Sequence, residues 1–217
     1  MSELFDEVDE EVRRDQLKKL WDQYSIYIVA GALLIIAGVG GWRGYQYLEA
    51  KKAAEAGAAF DKAVELSEQN KHVEAEAAFN DLAAKAPSGY RMLARLRAAA
   101  EIASHDSQAA AKMYDDIATD RSVGAEQQDL ARVRAAELLL ETSSYPSMLA
   151  RLESSTGPEA TFRHTARELL ALSAWRANDT AAARKWLDLI ANDGETPPSL
   201  RSRAEALQAL LPPVAKS

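Results

Sequence analysis

Between Asp22 and Arg43 the chain carries no charge for twenty residues, Gln23 to Trp42, and the centre of the stretch is Ile26, Val29, Leu33, Leu34, Ile35, Ile36 and Val39. At about 1.5 Å of rise per residue, roughly 20 apolar residues are what a helix needs to cross a bilayer's hydrocarbon core. Aromatic rings frame the stretch, Trp21, Tyr24 and Tyr27 at one end and Trp42, Tyr45 and Tyr47 at the other, where amphipathic rings meet the headgroup region. The helix of a soluble core has a shorter charge-free run, about 10–14 residues. A cleaved signal peptide has a short basic start, whereas residues 1–22 hold eight acids and four bases. The expectation is an uncleaved signal anchor over residues 23–47, preceded by an acidic stub at 1–22.

Charges near the span set its orientation. Arg13, Arg14, Lys18 and Lys19 precede it and Arg43, Lys51 and Lys52 follow it, a small excess that places the stub in the cytoplasm by the positive-inside rule. Ala37, Gly40, Gly41 and Gly44 form two small-xxx-small pairs in the distal half. Such a stripe allows the close approach of another membrane helix, a second copy of this chain included.

From residue 48 onward the sequence reads as helix, rich in Ala, Leu, Glu, Lys, Gln and Arg, with no sustained β-branched alternation. The helix leaving the span is expected to run to about Asn70, since neither Pro nor turn chemistry stops it. Short polar turns then recur at Asn70-Lys71-His72, His105-Asp106-Ser107, Ser143-Ser144-Tyr145 and Asn178-Asp179-Thr180, spaced 35, 38 and 35 residues apart. A period of this size belongs to helical hairpins that cannot bury an apolar face alone and must stack on their neighbours. A small residue and a large one follow three of the turns in the same register, Ala75/Phe79, Ala110/Tyr114 and Ala183/Leu187, and Met148/Leu152 is the poorest fit. Ala lets paired helices approach, and the large side chain fills the space between hairpins. Pro87 closes the first unit, and Pro197-Pro198 set off an amphipathic segment with Leu200, Ala204, Leu207 and Leu211 that caps the open end.

This pattern resembles the tetratricopeptide repeat, with Ala75, Phe79 and Pro87 at that family's spacing. The usual Trp, Gly and Tyr of the first helix are mostly replaced, Ala98 and Ala171 standing near the Gly position, and the third repeat has three extra residues. The fold expected is all-α: one transmembrane helix, then an α-solenoid of about four degenerate hairpins over residues 48–211 with a C-terminal capping helix, and a tail at 212–217 that is frayed from Val214 to Ser217. Across the whole chain, an acidic stub, one aromatic-framed span with Gly41-Trp42-Arg43 and Tyr45, and a degenerate repeat region are similar to the YfgM-like family of ancillary SecYEG translocon subunits. That resemblance implies a single-pass protein of the bacterial inner membrane, its repeat domain in the periplasm, partnered by the Sec translocon and a periplasmic chaperone.

Chemistry has little to start from. With no Cys, disulfides, thiolate metal sites and Cys nucleophiles are excluded. A net charge of −7 argues against nucleic acid, which needs a basic footprint. His72, His105 and His164 are scattered, so no metal or other cofactor is expected, and neither HExxH, a Gly-rich phosphate loop nor a Gly-x-Ser-x-Gly elbow is present. The remaining catalytic option is a groove carboxylate such as Glu101 or Glu137 in an envelope hydrolase. Trp175 and Trp186 are expected to pack between repeats. If the first helix of each hairpin lines a concave surface, that surface holds Arg95, Ala99 and Ile102, then Leu130, Val133, Glu137 and Leu140, then Glu168, Leu172 and Trp175, a mixture suited to a peptide. The function expected is a membrane-anchored, non-catalytic interaction scaffold. Scaffolding of another envelope complex, respiratory or cell-wall, is the alternative within that class.

Overall fold

The computed structural model describes residues 3–212, with side chains described for Lys18 and residues 21–212. The expectation of a frayed tail from Val214 to Ser217 lies outside these residues. Nine α-helices and no strands are found among the described residues. The chain divides into two compact units, residues 1–54 and 55–217.

The first unit consists of the greater part of helix α1 (Glu3–Glu68). Among the described residues one helix is long and apolar enough to cross a membrane, and its mean hydropathy reaches 1.9. Ile26, Leu33, Leu34, Ile35, Ile36 and Val39 are all exposed, as are Trp21, Tyr24, Tyr27, Trp42, Tyr45 and Tyr47. Outward-facing aliphatics between two aromatic ends are what hydrocarbon, not water, solvates.

The second unit opens with the last turns of α1 and continues through α2 (His72–Lys85), α3 (Ser88–Ile102), α4 (Ser107–Thr119), α5 (Ala125–Leu139), α6 (Tyr145–Leu152), a 3₁₀ turn (Glu153–Ser155), α7 (Arg163–Arg176), α8 (Thr180–Ala191) and α9 (Pro198–Leu210). Each polar turn found in the sequence ends one helix and starts the next. Asn70 (φ 59°) and Asn178 (φ 58°) adopt the left-handed conformation. The amide after each, Lys71 N–H and Asp179 N–H, donates to the carbonyl five residues back, Leu66 and Ala174, each at 2.9 Å. These are Schellman caps, which satisfy helix-end carbonyls. On the other side of three turns an N-cap starts the next helix: Asp106 accepts from Ala109 N–H at 2.9 Å, Ser144 from Ser147 N–H at 3.4 Å and Asp179 from Ala182 N–H at 2.9 Å. Pro146 and Pro198 stand in the first turns of α6 and α9, where a missing N–H costs nothing.

The three small/large pairs, Ala75 and Phe79, Ala110 and Tyr114, Ala183 and Leu187, are buried, as are Met148 and Leu152 at the same register. Around them the apolar interior forms three clusters. The first joins Ala56 and Ala63 of α1 to Phe79 and Leu82 of α2 and Ala94 and Ala98 of α3. The second joins Ala99 to Tyr114, Ile117, Ala131 and Ala135. The third runs from Val133 and Met148 through Leu170, Trp186, Leu187 and Ile190 to Leu200, Leu207 and Leu211, so α9 does close the stack. Alanine dominates the first two, which keeps helix axes close.

Of the polar side chains buried with this core, Glu101, Ser155, Arg167 and Thr196 are paired, and the Ser173 hydroxyl has no partner among the described residues. Arg167, 6% exposed, donates through Nε and Nη2 to the Thr156 carbonyl (3.1 and 2.9 Å) and through Nη1 to the Asp193 carboxylate (2.9 Å). Arg163 Nε adds a 2.8 Å bond to Asp193, and Arg201 donates to the carbonyls of Ala191 (2.8 Å) and Asp193 (2.9 Å). The Arg163 hydrogen bond, followed by the Glu195 N–H and Arg167, holds the Asp193 carboxyl well below the usual carboxylate range. Trp186 is core, as expected, its Nε1 donating to the Tyr145 hydroxyl at 3.0 Å. Trp175 is not: it is 40% exposed.

Candidate functional site

On α3, Leu93, Leu96, Arg97 and Ala100 follow the i, i+3, i+4, i+7 spacing that puts residues on one helix face. On α5, Leu130, Arg134, Glu137 and Leu138 share a face at i, i+4, i+7 and i+8. The two faces border a cleft of about 710 Å³, completed by Phe60 of α1 and Tyr114 of α4. That volume lies within the range of specific ligand sites, about 300–1,000 Å³.

The lining is apolar with few charges. Phe60 is fixed edge-on to the buried Phe79, centroids 5.2 Å apart at 62°. Tyr114 donates its hydroxyl to the Leu96 carbonyl at 3.4 Å, and burial pushes its phenol pKa up. Arg134 Nη1 donates to Glu137 at 2.9 Å. Arg97 is exposed and makes no hydrogen bond or ion pair with any other described residue. Ala100 and Ala103 are the small residues that give the cleft its depth.

Of the ten residues expected on a concave surface, two line this cleft, Leu130 and Glu137. Ala99, Ile102 and Val133 are buried in the interior and have no surface to offer. Leu140 and Leu172 pack against the third cluster. Arg95 turns away, to an ion pair with Asp120 at 2.6 Å beside a separate cavity of about 430 Å³ that also holds Arg91 and Gln127. The Ser122 hydroxyl, then Arg95, then the Ser122 N–H lower the Asp120 pKa to about 2. Glu168 accepts two bonds from Arg203 of the capping helix, 2.7 and 2.8 Å. Trp175 stands exposed near the end of α7. The physical reason is that a first helix inside a stack is covered on two sides, by its own partner and by the next hairpin, so its exposed face is narrower than in an isolated hairpin.

Glu101 does not sit in either cavity. It is buried, with His72 Nδ1 2.7 Å from Oε2, so it fastens the start of α2 to the end of α3. Among the described residues no group of His, Asp and Glu is arranged to hold a metal ion. On α1, Gly40, Gly41 and Gly44 are open, a Cβ on any of them meeting nothing within 4 Å, and Ala37 is exposed beside them.

The residues missed from sequence, Phe60, Leu93, Leu96, Arg97, Ala100, Ala103, Tyr114, Arg134 and Leu138, had one legible signal, the exposed stripe on α3. Leu93, a leucine 49% exposed on a helix whose other face is buried, marks an uncovered surface.

Comparison with curated proteins and with solved structures finds no match. A family model described as a tetratricopeptide repeat-like domain matches residues 18–185, from just before the span to the middle of α8. Stacked helical hairpins, a buried small/large pair after three of the four turns and a match over more than half the chain agree, and the chain belongs to the tetratricopeptide repeat-like domain family.

Proposed function

We propose that this chain is a membrane-anchored interaction scaffold of the bacterial inner membrane, an ancillary subunit of the Sec translocon that helps pass secreted proteins to periplasmic chaperones. In this proposal residues 1–22 face the cytoplasm, residues 23–47 span the bilayer and residues 48–211 work in the periplasm. The observation that carries it is the pairing, in one chain, of a charge-free, aromatic-framed helix with a repeat unit that leaves an apolar cleft open between α3 and α5. Helical-repeat domains act by binding proteins, and tethering one to a bilayer raises its effective concentration toward a partner in the same membrane. The translocon is singled out by the resemblance of Gly41-Trp42-Arg43, Tyr45 and the acidic stub to the YfgM-like family.

Crosslinking and purification from membranes, comparing the full chain with one lacking residues 1–48, tests the scaffold. Translocon subunits and a chaperone should be captured by the full chain and lost without the anchor. Capture of a cell-wall or respiratory complex in their place would overturn the translocon assignment. A reporter fused after Ser217 should be active in the periplasm only, and activity confined to the cytoplasm would reverse the topology.

A further inference from the structure

The cleft between α3 and α5 is uneven in charge. Its ionised lining groups are Arg97, Arg134 and Glu137, of which Arg134 and Glu137 satisfy each other at 2.9 Å. Arg97 has no carboxylate among the described residues, in a chain whose acids outnumber its bases by seven. It lies at the middle of the α3 stripe, between Leu93, Leu96 and Ala100, so the uncompensated charge in the cleft lining is positive.

Resting on the scaffold reading above, we infer that this cleft takes a short segment of a partner protein bearing leucine-sized apolar side chains and an aspartate or glutamate, whose carboxylate meets Arg97. The apolar side chains occupy the space among Leu93, Leu96, Leu130 and Leu138, and Ala100 and Ala103 set how deep they reach. A guanidinium presents a planar fork of donors that matches a carboxylate, and apolar walls strengthen the bond by excluding water. A lysine in the segment finds only Glu137, already engaged by Arg134. One free cation is too few for a phosphate backbone, which needs several. The cleft's volume fits a short peptide segment, not a folded domain.

The test uses the full chain in detergent micelles and two short fluorescein-labelled peptides with the same leucine spacing, one carrying glutamates and one lysines. The glutamate peptide should bind about tenfold tighter or more, the scale of a charge-assisted hydrogen bond, and its affinity should fall with added salt. Arg97→Glu should abolish that preference and Arg97→Lys should keep part of it. Ala100→Trp, which fills an exposed position, should weaken both peptides, with helicity by circular dichroism unchanged in all three variants. Equal affinities, or a preference that survives Arg97→Glu, would overturn the inference. A photo-crosslinker at Leu93 in membranes separates this failure from that of the scaffold reading. Translocon or chaperone adducts together with equal peptide affinities sink only the acidic-segment inference, whereas no protein adduct sinks the scaffold as well.

Discussion

The two halves of the repeat unit are held together by different means. From α1 to α5 the interior is mostly alanine around Phe79, Tyr114 and Ile117, split into two clusters, with an open cleft beside it. From α6 to α9 the interior is one cluster of larger side chains, Leu152, Leu170, Trp186, Leu187, Ile190 and Leu200 among them, and Arg163, Arg167 and Arg201 lock the connection after α8 through Asp193. In a stack, where stability is a sum of units and their interfaces, one half can leave surface uncovered while the other supplies firmness. The open half is the one that holds the cleft.

Phe79→Ala is the strongest way to break this contrast. Deleting a fully buried ring should cost about 3–5 kcal/mol, and hydrogen exchange should show protection lost in α2 and α3 while α7 and α8 keep theirs. Equal loss in both halves would mean that the unit unfolds as one. Arg167→Met attacks the other half. It strips two bonds from the Thr156 carbonyl and one from Asp193, so a loss of about 2–3 kcal/mol is expected, read as a lower melting temperature with protection lost first around α8 and α9.

Acid acts more gently, through one carboxylate in each half. Asp120 titrates at about 2, below its ordinary 3.8, and Asp193 is depressed too. A lowered folded-state pKa contributes stability that is present above about pH 4 and lost as the pH falls toward 2. Wild-type stability should therefore drop across that window, and Asp120→Asn should flatten part of the drop seen by chemical denaturation. An unaltered profile would mean that the Ser122 and Arg95 bonds do not persist in solution. Smallest of all, Arg97→Glu changes an exposed residue without a partner, and the melting temperature should imply a change within about 0.5 kcal/mol.

Local features of this fold were legible in the sequence because local chemistry decides them. Asn70 and Asn178 end helices through their own backbone conformation, and Ala75/Phe79 or Ala183/Leu187 stand one helical turn apart, so period and turn residues sufficed. The cleft was harder. Whether Ala99 or Ala100 of α3 sees solvent depends on where the next hairpin lies, and adjacent residues differ by about 100° around a helix. Ala99 is buried against α5 and Ala100 is exposed, a distinction made by packing between hairpins and not by the composition of either. The same holds for Glu101, whose partner His72 is 29 residues away, and for Glu168, whose arginine arrives from the capping helix 35 residues on.

The two left-handed asparagines set different substitution rules for the four turns. His105 and Ser143 keep negative φ, because among the described residues only Asn70 and Asn178 are non-glycine residues with positive φ. In that conformation most side chains cost about 1–2 kcal/mol, whereas glycine costs none and asparagine little. The inner turns can therefore exchange one polar residue for another as descendants of this chain diverge, while the first and fourth are confined to a two-letter alphabet. A saturation library scored for folding should show that asymmetry, with the outermost hairpins carrying the narrowest turns.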